Sequence, residues 1–140
     1  MKTAIDTNVF VALWDKEHAL NSAARTALDR AFQRGTLVIS AVVFAELIAA
    51  PGRSEAFLDS FFDETGIFVD WSLEEAIWRA AGRGFQGYAA RRRTQGESGP
   101  RRILADFLVG AHAVRRGCSL LTLDDRLYHA AFPQLSVIEI

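Results

Sequence analysis

Apolar residues in this chain gather in short blocks without polar alternation, separated by longer stretches of helical periodicity. Lys2 to Ile5, Leu37 to Ser40, Ile67 to Val69, Cys118 to Leu123 and Ser136 to Ile140 are blocks of the first kind. Continuous apolar runs of this length read as strands covered on both faces, the habit of a parallel sheet. The intervening segments read as helices. Asp6-Thr7-Asn8 offers capping side chains ahead of Val9 to Trp14. Ala19 to Arg34 is Ala-rich and closed by Gly35; Ser40 can cap the next helix, which carries Glu46 and stops near Pro51-Gly52. Ser54 to Glu64 places Phe57, Leu58, Phe61 and Phe62 on an apolar face, and Gly66 breaks it.

Farther along, Ser72-Leu73-Glu74-Glu75 reads as a capping box. The helix it opens runs through Trp78 toward Tyr88 and a group of arginines, with Gly82, Gly84 and Gly87 weakening its middle. Gln95 to Pro100 is the clearest loop, Arg101 to Arg116 a helix ended by Gly117, and Asp124 to Ala131 a short helical turn. Strands alternating with helices specify an α/β architecture with a central parallel β-sheet flanked by α-helices. Ligands of such sheets bind beyond the carboxyl ends of the strands. The 140 residues fit a single domain, residues 1–140, without repeats or low-complexity segments.

Against this pattern four acids stand out. Asp106 interrupts Ile103-Leu104-Ala105-Asp106-Phe107-Leu108-Val109-Gly110-Ala111, and Glu46 interrupts Val42-Val43-Phe44-Ala45-Glu46-Leu47-Ile48. Asp6 and Asp124 each end an apolar strand block. Each has an ordinary explanation. Asp6 and Asp124 or Asp125 can cap helices, Glu46 can reach solvent, and Asp106 can pair with Arg102 one turn earlier. Together they suggest one pocket. Two carboxylates about 4 Å apart repel by roughly 4 kcal/mol at an effective dielectric near 20, so a cluster needs protons or cations. Oxygen ligands without clustered His or Cys favour Mg²⁺ or Mn²⁺ over Zn²⁺.

The formal net charge of −1 excludes a generally basic nucleic-acid binder, but the cations are uneven. Lys2 and Lys16 are the only lysines, and Arg91, Arg92, Arg93, Arg101 and Arg102 fall in one stretch. Their planar forks suit phosphate, although cations also suit a helix C-terminus. Cys118 is the single cysteine and reads as a buried small hydrophobe. His18, His112 and His129 are scattered and read as packing or surface residues; Trp14, Trp71 and Trp78 read as core or interface anchors. The apolar residues around Phe44 and Phe57 to Phe62 fit ordinary core packing or a surplus that a second protomer or a partner segment could bury. No signal peptide or membrane span is visible, so a soluble, cytoplasmic protein is expected.

Four segments resemble, in order, the motifs of PIN-domain nucleases: Ile5-Asp6-Thr7-Asn8-Val9, Ala45-Glu46-Leu47, Ala105-Asp106-Phe107-Leu108-Val109-Gly110-Ala111 and Leu121-Thr122-Leu123-Asp124. The likeness is to the VapC-like ribonuclease toxins of type II toxin–antitoxin pairs and spans nearly the whole chain. It implies a PIN-like fold, often dimeric, and Mg²⁺- or Mn²⁺-dependent hydrolysis of RNA phosphodiesters by a metal-activated water. It further implies a small VapB-like antitoxin as partner. Carried over by residue, Asp6, Glu46, Asp106 and Asp124 are the catalytic, metal-holding acids, with Asp125 a neighbour that could replace Asp124. Asn8 is expected to orient Asp6, and Thr122 to hydrogen-bond a carboxylate or a bound water. The arginines from Arg91 to Arg102 are expected to guide the RNA backbone.

Three other readings stand beside this one. A PIN-type nuclease could act in RNA processing, or on structured DNA, outside a toxin pair. A phosphoacceptor signalling domain also gathers acids at strand ends but relies on a late lysine, and none follows Lys16. A non-catalytic RNA- or protein-binding module has no need of mutually repelling carboxylates.

Overall fold

A computed structural model describes residues 1–96 and 101–140. Five strands form one parallel sheet: β1 (Lys2–Ile5), β2 (Thr36–Ser40), β3 (Phe68–Asp70), β4 (Ser119–Thr122) and β5 (Val137–Glu139). The spatial order is β3-β2-β1-β4-β5, with Ala4 opposite both Val38 and Leu120. Consecutive residues of β1, β2 and β4 are buried, which requires cover on both faces. Among the described residues the cover comes from α1 (Thr7–Trp14), α2 (Asn21–Arg34), α3 (Ala41–Ala49), α4 (Glu55–Thr65), α5 (Glu75–Thr94), α6 (Leu104–Arg115) and α7 (Asp125–Ala131). The α/β class and the parallel sheet read from the sequence are those observed. Among the described residues no helix is long and apolar enough to cross a membrane.

Local chemistry sets most helix ends where expected. The Ser40 hydroxyl accepts from the Val43 amide and the Ser54 hydroxyl from the Phe57 amide. Gly66 ends α4 at φ 71°, a left-handed conformation that glycine adopts without Cβ strain. Two expectations need correction. Ser72 does not cap α5, which begins at Glu75. Instead the Ser72 amide donates to the Asp70 carboxylate, and Arg116 donates to the Ser72 carbonyl and the Glu74 carboxylate. Asp70 takes the Ser72 amide that the box would have used, and Glu75 pairs with Arg79 instead. Likewise α6 starts at Leu104, so Arg101 and Arg102 precede it. Of the Gln95 to Pro100 loop, Gln95 and Gly96 form a turn and residues 97–100 lie outside the described part.

The glycines do not interrupt α5, and one has a packing role. A Cβ on Gly84 would sit 3.1 Å from the Phe132 ring and 3.3 Å from Phe107. Gly110 of α6 is tighter still, with 2.4 Å to Phe132. These two positions let α5, α6 and the α7 end approach one another, and α6 carries Asp106. Phe44 and Phe62 belong to the core, whereas Phe57 and Phe61 join Trp14 in a partly exposed ring cluster. Trp71 and Trp78 are 62% and 48% exposed and are not core residues. Cys118 is buried, as expected.

Candidate active site

The strand order reverses direction at β1: β2 and β3 lie to one side, β4 and β5 to the other. Crevices at such a switch point, beyond the carboxyl ends of the strands, are the usual ligand sites of open parallel sheets. Asp6 follows β1 directly and its amide extends the ladder to the Leu121 carbonyl at 3.0 Å. Asp124 follows β4 across the same crevice. Glu46 reaches it from α3 and Asp106 from the first turn of α6. The four acids, with Thr7, Asn8, Val11, Arg102 and Tyr128, line one open cleft of about 310 Å³. Residues from four distant parts of the chain therefore face a common space. Asp125 does not line it; its carboxylate lies 3.8 Å from His129.

Each carboxylate is held differently. Asp6 is buried and accepts three hydrogen bonds, from the Thr7 amide at 2.8 Å, the Thr122 hydroxyl at 2.8 Å and the Tyr128 hydroxyl at 3.0 Å. Burial pushes its pKa up to about 6; the three donors oppose this, and the Glu46 charge adds to it. Glu46 accepts from the Thr7 hydroxyl at 2.6 Å. Asp106 reaches back to the Ile103 amide at 3.2 Å, a capping contact that uses one of its oxygens. Asp124 is paired with the Arg102 guanidinium. Among the described residues no three acidic, His or Cys side chains converge closely enough to hold an ion as they stand.

The supporting residues are only partly as expected. Thr122 does donate to a carboxylate, that of Asp6. Asn8 does not orient Asp6: its side-chain oxygen accepts from the Leu123 amide at 3.2 Å, pinning the β4 end beside α1. Tyr128 and Thr7 were not foreseen. The sequence reads Thr7 only as part of a capping run and Tyr128 only as part of a short helical turn, yet one bonds Asp6 and Glu46 and the other Asp6. Tyr128 is buried, and burial followed by the Asp6 charge pushes its phenol well above its usual range, so it stays a proton donor to Asp6. Arg102 pairs with Asp124 rather than with Asp106, because it lies ahead of α6 and not on it. Arg91, Arg92 and Arg93 end α5, and neither they nor Arg101 line the cleft.

His112 belongs to a separate network. Its Nε2 lies 3.0 Å from the Asp70 carboxylate, which also accepts from Arg116 at 2.6 Å. Burial holds the His112 pKa below its ordinary value. Burial alone would raise Asp70, but Arg116 and His112 outweigh it and lower its pKa to about 2.

A family model for the PIN domain matches residues 3–133. The chain belongs to the PIN domain family. Solved structures share the fold. VapBC-1 from nontypeable Haemophilus influenzae aligns with a TM-score of 0.67 and 19% identity, over 99% of this chain and 98% of its own. FitAcB from Neisseria gonorrhoeae gives 0.66 and 19%, over 98% and 96%. VapBC2 from Rickettsia felis, solved bound to a DNA fragment from their promoter, gives 0.64 and 19%, over 100% and 99%. No curated protein sequence matches significantly. At this level of identity, the PIN assignment rests on the family match, and the structural neighbours add the shared fold.

Proposed function

We propose that this PIN domain is a divalent-metal-dependent endoribonuclease and the toxin of a type II toxin–antitoxin pair. The observation that carries the reading is the meeting of Asp6, Glu46, Asp106 and Asp124 in one open cleft at the switch point of the sheet. The donor set suits Mg²⁺ or Mn²⁺: carboxylates and hydroxyls, with no imidazole or thiol among the described residues that line the cleft. A bound ion would supply a Lewis acid that activates water and offsets charge at a phosphoryl group.

The protein's own residues divide the remaining work. Asp6 is the most constrained acid, fixed by Thr7, Thr122 and Tyr128. Its raised pKa reflects the cost of burying a carboxylate charge, a cost that a bound cation would offset. Thr7 aims Glu46 into the cleft. Asp106 and Asp124 close the other side, and Asp125 is left outside. Arg102, at the rim, is placed to meet an RNA phosphate, with Arg91, Arg92, Arg93 and Arg101 guiding the strand from farther away. The partner proposed is a small VapB-like antitoxin, in line with neighbours that are VapBC and FitAB assemblies. A homodimer and a cytoplasmic location complete the reading.

The test is cleavage of a mixed RNA pool by purified protein with Mg²⁺ or Mn²⁺ against EDTA, with Asp106→Asn alongside. Metal-dependent cuts that disappear in the folded variant are expected. Cuts that persist in EDTA or in the variant would sink the assignment. Growth arrest on expression, relieved by a small protein encoded beside this one, separates a toxin from an RNA-processing nuclease.

A further inference from the structure

The acids share a cleft, yet no three of them converge, and the side chain that pairs with Asp124 is Arg102. Among the described residues lining the cleft, Arg102 is the only cation. Both partners are half-buried, with side chains 23% and 28% exposed, so the pair is shielded from solvent more than a fully exposed pair would be. Their main chains are anchored independently. The Arg102 amide donates to the Tyr88 hydroxyl at 2.8 Å, and the Asp124 amide donates to the Thr122 hydroxyl at 3.0 Å. Only side-chain rotation is needed to part them.

We propose that Arg102 is a resident counter-cation that competes with the divalent ion for Asp124. The inference rests on the metal-dependent reading above and adds a regulatory step to it. In the metal-free protein the guanidinium offsets part of the acidic repulsion and holds Asp124 away from the other carboxylates. The Asp124 Oδ2 that Arg102 Nη1 engages is not free to ligate an ion. With an ion bound, Asp124 would be freed from the pair to serve as a ligand, and the guanidinium would be left in the cleft to meet an anionic substrate. The alternative is that Arg102 merely holds Asp124 in its working position. That alternative predicts the opposite sign: loss of the arginine would weaken metal binding.

The experiment is Mn²⁺ binding, measured by calorimetry or electron paramagnetic resonance at fixed pH and ionic strength, without RNA. The proteins are wild type, R102Q, D124N and the double variant. If the pair competes with the ion, R102Q binds Mn²⁺ about fivefold more tightly, the factor equivalent to about 1 kcal/mol. The gain disappears in the D124N background. R102K keeps the charge but not the planar fork; it gives a smaller gain of the same sign and serves if circular dichroism shows R102Q to be unfolded. Unchanged or weaker binding by R102Q overturns the proposal. An equal gain in the D124N background also overturns it, because that marks a long-range charge effect. No Mn²⁺ binding by wild type or R102Q would overturn the metal reading itself.

Discussion

Asp6→Asn should stabilise the metal-free protein at neutral pH and destabilise it in acid. The carboxyl is buried, and its pKa in the fold is about 6 against an ordinary 3.8. For an acid raised by folding, the associated stability is fully present below the ordinary value and is lost as pH rises through the folded value. A rise from 3.8 to about 6 corresponds to about 3 kcal/mol at 1.36 kcal/mol per tenfold change in protonation. Wild type without metal therefore loses about that much stability between pH 4 and pH 7. Asn carries no charge and escapes this loss. It cannot keep every contact, because Asp6 accepts from the Thr7 amide with one oxygen and from Thr122 and Tyr128 with the other. An amide nitrogen facing the Thr7 amide forfeits the cap, at about 1 kcal/mol. Urea unfolding in EDTA should find the variant about 2 kcal/mol more stable than wild type at pH 8 and about 1 kcal/mol less stable at pH 4. Adding Mn²⁺ should raise the wild-type midpoint and leave that of the variant nearly unmoved. A variant less stable than wild type at both pH values would refute the reasoning, since it would show that Asp6 is not strained by burial.

Three further outcomes follow from the same geometry. Tyr128→Phe removes a donor to Asp6, so at pH 8 it should cost about 1.5 kcal/mol and at pH 4 clearly less, measured by urea unfolding. Gly110→Ala would put a Cβ 2.4 and 2.6 Å from Phe132 ring atoms; overpacking should lower stability by about 1–3 kcal/mol in thermal unfolding. Asp70 is 14% exposed, and its folded pKa of about 2 lies below the ordinary 3.8. Its stabilisation is therefore present above pH 4 and lost as pH falls toward 2, so Asp70→Asn should cost about 2 kcal/mol at pH 7 and almost nothing at pH 2.

Much of the candidate cleft was legible because its signals are local contradictions. A carboxylate inside an apolar helical run, as at Glu46 and Asp106, conflicts with burial unless a site explains it. The parallel sheet was legible for a similar reason: β1, β2 and β4 carry apolar residues on both faces. Contacts made across the fold left no such mark. Tyr128 bonds Asp6 from 122 residues away, and the sequence marks its segment only as a short helical turn. The Asp70, His112 and Arg116 network joins residues 42 and 46 positions apart. It also replaces the local Ser72 cap, because the Asp70 carboxylate takes the Ser72 amide and α5 begins only at Glu75. Asn8 was misassigned by proximity: it neighbours Asp6 in sequence, but its side chain faces the β4 end. The pairing of Arg102 likewise depends on where α6 begins, a boundary that helical periodicity alone leaves uncertain by a few residues.

The central claim is that the four acids form one metal site. The most direct test is anomalous diffraction from crystals of wild type grown with Mn²⁺ and of Asp106→Asn treated identically. The account predicts a strong manganese peak bounded by Asp6, Glu46, Asp106 and Asp124 in wild type, weakened or lost in the variant. A saturating Mn²⁺ concentration that leaves this cleft without a peak, or places the ion away from these carboxylates, would contradict it.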